Sequence, residues 1–156
     1  MADTAEFKDV RGEARTGMDI HDVRLAHTDR ALIVKTAHDD VRPTLRSGGS
    51  IAVFVDVDPH RRGPEYAFVA GTTRGSDFGL VETDGWRLGD AVRHADTSLS
   101  IDYENERVRV RIARSSIGDP DEVRLAVVAQ GTRRNGELES DWLRTIRHMT
   151  RWVTSG

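Results

Sequence analysis

Asp56 and Asp58 stand two residues apart at the end of the apolar run IAVFVDVD, and PHRRG follows at once. Side chains at i and i+2 of a strand project from the same face. Two carboxylates held that close need solvent, a cation or a basic partner between them. His60, Arg61 and Arg62 are the nearest basic groups along the chain. Three readings are open: a strand end with arginine pairing, a metal pair, or a general acid/base pair. The last requires a pocket that drives the two acidities apart, and the local sequence marks none.

A second acidic set lies in KDVRGEARTGMD, which carries Asp9, Glu13 and Asp19 among glycines. Calcium takes six to eight oxygens, mixing carboxylates with backbone carbonyls of an irregular loop. Asp9, Glu13 and Asp19 therefore form a candidate calcium set that would pin the N-terminal segment to the body of the protein. The alternative is that Asp9 and Asp19 cap turns through side chain to backbone bonds.

The six histidines show no His-x-x-x-His or Glu-x-x-His spacing, and His27 shares an apolar face with Val23 and Leu25, as a core histidine does. Trp86 follows a DG turn and Tyr66 sits beside RRGPE. Flat rings so placed can stack on the apolar face of a sugar, so Trp86 and Tyr66 are the candidate ligand-binding residues. Core packing is the competing account. Arg107, Arg109 and Arg111 alternate with Val108, Val110 and Ile112. They suit an anionic partner, or a solvated face balanced by the acids of DYENE. No nucleophile elbow, phosphate loop, zincin motif or dinucleotide fingerprint is present, so no catalytic residue is assigned and an enzyme is not expected.

The elements that must position these groups are short. Apolar residues alternate with polar ones in runs bounded by turn residues, the mark of half-buried strands. DVRLAHT and RALIVKTAH read as a hairpin over about residues 20–38. IAVFVDVD is apolar on both faces until Asp56, as in a central strand. EYAFVAGT, FGLVET, WRLG, SLSIDY, RVRVRIA and VRLAVVAQG follow, and RSSIGDPDE reads as one short helical turn and a loop. The pattern predicts an all-β chain, an antiparallel sandwich or barrel. One domain over 1–156 is expected, with its core at about 7–130 and a tail over 138–156 packed on it. In that tail Trp142, Ile146, Met149 and Val153 fall at helical spacing. A short C-terminal helix and an extended segment are both open.

The net charge is −3, which argues against a nucleic-acid surface. Lys8 and Lys35 are the only lysines among 23 basic residues, a bias that high-GC coding produces. Cysteine is absent, which removes disulfides and thiolate sites. No apolar run is long enough to span a membrane. The opening MADTAEFKDVRGEA has neither a basic n-region nor an apolar h-region. A cytoplasmic protein and an excised extracellular domain are both compatible with that.

In order, DVRGEARTGMDIHDVRLAHTDRALIVKT, IAVFVDVDPHRRGPEYAFVAG, FGLVETDGW and VRVRIARSSIGDPDEVRLAVVA resemble the β-sandwich domains related to family 9 carbohydrate-binding modules and to DOMON domains. The resemblance covers roughly residues 7–130. DVD stands where that group often has DTD, and GEA where it has GDA. It implies a jelly-roll-like sandwich, frequent structural calcium near the N-terminus and an extended tail. Members of that group serve as sugar-binding modules, haem or electron-transfer domains and accessory domains. No Met/His pair here has an axial-ligand pattern. A non-catalytic binding or accessory role is therefore expected, with a carbohydrate first and a protein-interaction or structural role as the alternative.

Overall fold

A computed structural model describes residues 3–9, 16–44, 49–133 and 135–156. Twelve strands are present among them. They are β1 (Asp3–Lys8), β2 (Ile20–His27), β3 (Ala31–His38), β4 (Gly49–Asp56), β5 (Tyr66–Gly71) and β6 (Phe78–Asp84), then β7 (Arg87–Ala91), β8 (Thr97–Asp102), β9 (Arg107–Ala113), β10 (Glu122–Thr132), β11 (Leu138–Trp142) and β12 (Val153–Thr154). Every pairing is antiparallel, and the strands form two sheets that do not close into a barrel. The smaller sheet runs β1-β2-β3-β9-β8. The larger runs β11-β10-β4-β5-β6-β7, with β12 also paired to β10. The chain is thus the β-sandwich that its period-two runs predict.

Alternation decides which side chains meet between the sheets. Val23, Leu25, Leu32, Val34, Val108, Val110 and Ile112 from the small sheet are buried against Ile51, Val53, Val55, Phe68, Leu80, Leu125 and Val127 from the large one. Burial at about 25 cal/mol per Å² of apolar surface makes this layer the main stabilising term. The turn between β9 and β10 is one 3₁₀ turn, Arg114–Ile117, closed by Gly118 in the left-handed region at φ 79°.

The tail forms no helix, which corrects the helical alternative. Its backbone instead completes the free edge of β10. β11 pairs with Val128–Thr132, the Leu143 amide donates to the Val127 carbonyl at 2.9 Å, and the Thr150 amide donates to the Leu125 carbonyl at 2.8 Å. Val153 then faces Val123 in β12. Residues 144–149 leave the edge and return to it. Arg144 and Arg147 in that excursion adopt φ of 69° and 58°, incompatible with a right-handed helix. Pairing a buried edge outweighs the helical spacing of four apolar residues, because unpaired backbone polar groups are costly.

Candidate functional site

The large sheet has an outer face that is unusual for a sandwich. On β4 the residues pointing away from the core are Ser50, Ala52, Phe54 and Asp56. Strand register aligns them with neighbours in rows across the sheet. One row reads Ala126–Phe54–Ala67–Val81, the next Trp142–Val128–Ala52–Val69–Gly79, and the third Ser140–Gln130–Ser50–Gly71. Such a face would ordinarily be polar. Here two rows are apolar and the third is small and polar.

The first row is covered. Phe54 stacks on Trp142 at 6.0 Å between centroids and meets Trp86 edge-on at 5.1 Å, while Trp86 and Trp142 meet edge-on at 5.9 Å. Met149 packs on the same cluster, and the Arg147 guanidinium lies 5.7 Å from the Trp86 ring centre. Trp86 of the β6–β7 turn and Trp142 of β11, with Met149 and Arg147 of the excursion, thus cover one half of the outer face. The other half is open. Ala52, Val69, Gly79 and Val128 floor a trough of about 520 Å³ with Trp142 at one end and Leu88 at the other. Phe78 borders it, and Ser50, Asp77, Gln130 and Ser140 supply polar groups. Leu88 is 51% exposed and Phe78 44%.

The two ligand-binding candidates do not share this site. Trp86 belongs to the outer aromatic cluster, whereas Tyr66 has the parity of Phe68 and packs against the central core. The rings lie on opposite faces of one sheet and form no common platform. Trp142 was not a sequence candidate for the site. Its tail position concealed that β11 would place it at the end of the trough.

Asp56 and Asp58 separate in role. Asp58 caps its own turn, accepting from the His60 amide at 2.9 Å. Asp56 has no exposure, and its Oδ2 accepts from Arg124 Nε at 2.8 Å. That arginine comes from the paired position on β10, not from Arg61 or Arg62, which are exposed. It also lies 4.7 Å over the Trp152 ring. The second carboxyl beside Asp56 is Glu65, which the sequence did not suggest. Burial, and then the charge of Asp56 with which it shares a hydrogen bond, push Glu65 up to about 7. Glu65 Oε1 also accepts from the Val57 amide at 3.2 Å. Neither Asp56 nor Glu65 lines the trough, so the pair serves the strand end and the C-terminal segment.

At the N-terminal end, the amide of Arg144 donates to Asp9 Oδ1 at 3.0 Å, and the amide of Ile20 donates to Asp141 Oδ2 at 2.7 Å. An N-terminal acid caps the C-terminal excursion, and a C-terminal acid caps the start of β2. These reciprocal bonds tie the two ends together, the role assigned to calcium from the sequence. Asp19 Oδ2 lies 3.5 Å from His21 Nε2. Glu13 lies outside the described residues. Among the described residues no three histidine or acidic side chains gather closely enough to hold a metal ion.

The buried histidines are core groups. His27 Nδ1 donates to the Val153 carbonyl at 2.9 Å, and burial lowers its pKa. His38 Nδ1 donates to the Met18 carbonyl at 3.0 Å, which leaves Nε2 to accept from the Thr36 hydroxyl at 2.7 Å. Burial lowers the pKa of His38 to about 4.

No protein-family model matches this chain, and no curated protein is found to be similar to it.

Proposed function

We propose that this chain is a non-catalytic binding module, of the kind that DOMON and family 9 sandwiches represent, and that its ligand is a carbohydrate held in the outer trough of the large sheet. The observation that carries this reading is the trough itself: an apolar floor of small side chains with an indole at one end and polar groups along one flank. A pyranose has that same division, with apolar ring faces and hydroxyls around its rim. Its face would lie on Ala52 and Val69 and against Trp142. Its hydroxyls would meet Ser50, Gln130, Ser140 and Asp77. Open, shallow sites of this form bind without the chemistry of a closed cavity, which fits the lack of a catalytic motif.

A glycan array followed by calorimetry on the best oligosaccharide tests the reading. Trp142→Ala should weaken binding about five- to tenfold, from the roughly 1 kcal/mol that an aromatic contact contributes. Because Trp142 also packs on Phe54, Leu88→Ala is the second variant, at an exposed position away from the aromatic cluster. An empty array, or hits indifferent to both variants, would sink the proposal. A second reading, docking of a protein strand, is favoured by the exposure of Leu88 on β7. That strand ends the sheet, and an added strand could pair there. An empty array together with a peptide partner lost in Leu88→Asp would establish it instead.

A further inference from the structure

The solvent face of the five-stranded sheet assembles charges that are scattered in the sequence. Register sets Arg24 opposite Lys35, and Lys35 opposite Arg109. Glu6 stands beyond Arg24 at one end of this row and Ser100 beyond Arg109 at the other. Neighbouring strands lie about 4.8 Å apart, so three cations project side by side within roughly 10 Å. Like charges directly opposite each other destabilise a sheet.

Counter-charges reach only part of the row. Arg24 lies 3.7 Å from Glu6 and 3.4 Å from Asp22. In flanking rows Arg111 lies 3.3 Å from Asp96, and Arg107 stands opposite Asp102. The balanced, solvated face expected of the arginine strand therefore describes Arg107 and Arg111. Lys35 and Arg109 have no hydrogen bond or ion pair with any described residue. Beside them the next row is Thr4–Ala26–Ile33–Arg111–Ser98, with Ala26 and Ile33 as an apolar pair next to Arg24 and Lys35. The two rows enclose a depression of about 570 Å³ lined by Arg24, Lys35, Arg109, Ala26 and Ile33, with Glu6 at the Arg24 end, away from Lys35 and Arg109.

We propose that this depression binds an organic anion. Its carboxylate, sulfate or phosphate group sits between the Lys35 ammonium and the Arg109 guanidinium, and its apolar body lies on Ala26 and Ile33. Arg109 offers a planar fork of donors and Lys35 a point charge, a pairing that suits an oxyanion. The whole chain carries −3, so the attraction is local and weakens with salt. The site is separate from the trough, on the far side of the molecule, and does not depend on that reading.

Backbone-amide NMR titrations of the full chain with sodium benzoate, sodium sulfate, sodium phosphate and neutral benzyl alcohol test it. Benzoate should give saturable shifts at Ala26, Ile33, Lys35 and Arg109. The inorganic anions should shift Lys35 and Arg109 at several-fold higher concentration, and benzyl alcohol should leave all four in place. Lys35→Gln with Arg109→Gln should lose at least tenfold in benzoate affinity. Its Tm should match or exceed that of the parent, because the removed charges repel. No benzoate shift, an equal response to benzyl alcohol, unchanged affinity in the double variant, or a lowered Tm would each overturn the proposal.

Discussion

Glu65→Gln should stabilise this protein at pH 8 and leave it nearly unchanged at pH 4. In the folded chain the Glu65 carboxyl is held from its ordinary 4.5 up to about 7 by burial and by Asp56. Below pH 4.5 it is protonated in both the folded and unfolded chain and contributes no difference. Between 4.5 and 7 the unfolded chain has released the proton while the folded chain keeps it, so stability falls across that window. Above 7 both states are ionised and the loss is complete. The full shift corresponds to roughly 3 kcal/mol. Partial solvent exposure of the carboxyl reduces this to about 1–2 kcal/mol. Glutamine has the shape of the protonated acid. Its carbonyl can keep the bond from the Val57 amide, and its amide can donate to Asp56 in place of the shared proton. Urea unfolding from pH 4 to 9 would read the effect as a gap between variant and parent that opens from pH 4.5 and levels near 7. A constant gap, or a variant less stable at pH 8, would refute the account of Glu65 as a proton-sharing partner of Asp56.

Two further outcomes follow from the packing. In an imidazole NMR titration, His38 should stay neutral down to about pH 4. Its contribution to stability, present above 6.5, should be lost as pH falls toward 4, and a His38 midpoint near 6 would contradict its burial. Gly17→Ala would drive a Cβ into the Asp40 carbonyl oxygen, which belongs to the pair in which the Asp40 amide donates to Gly17. It should cost about 1–3 kcal/mol, read as a lower urea midpoint at unchanged slope.

Most strands from β2 to β10 were legible because they write a buried face in period two; β4 is apolar on both faces, and β7, whose five residues are all exposed, is marked by the DG turn before it. β1 was not, because only Ala5 and Phe7 of its six residues are buried. The tail was misleading for a physical reason. Trp142, Ile146, Met149 and Val153 share a helical spacing but not a destination. Trp142 and Met149 join the outer cluster, Ile146 is in solvent and Val153 is in the core. The excursion between Leu143 and Thr150 resets the phase. Site residues were harder to read because their partners are set by register. Asp56 pairs with a residue 68 positions away, and nothing near it in sequence names Arg124.

The two outer faces of the sandwich bear on what each is for. Both point away from the core, and both lie on sheets whose inner faces are mostly apolar, with His27, Thr36 and His38 as the buried polar groups of the smaller one. The five-stranded sheet dresses its outer face with Arg24, Lys35, Arg109, Arg111, Ser98 and Ser100 around the apolar pair Ala26 and Ile33. The seven-stranded sheet places Ala52, Phe54, Ala67, Val69, Gly79, Ala126 and Val128 in the same position. Core packing does not call for these residues, since their side chains point away from the core. Trp86, Trp142 and Met149 account for Phe54, Ala67 and Ala126, which pack beneath them. The C-terminal excursion does not reach Ala52, Val69 or Gly79, where small side chains leave the sheet bare beside an indole. A sheet face that needed only to be soluble would favour threonine or a charge at those three positions. A sheet face that receives a flat ligand needs them short, so Ala52→Arg or Val69→Arg should fill the trough without disturbing the core.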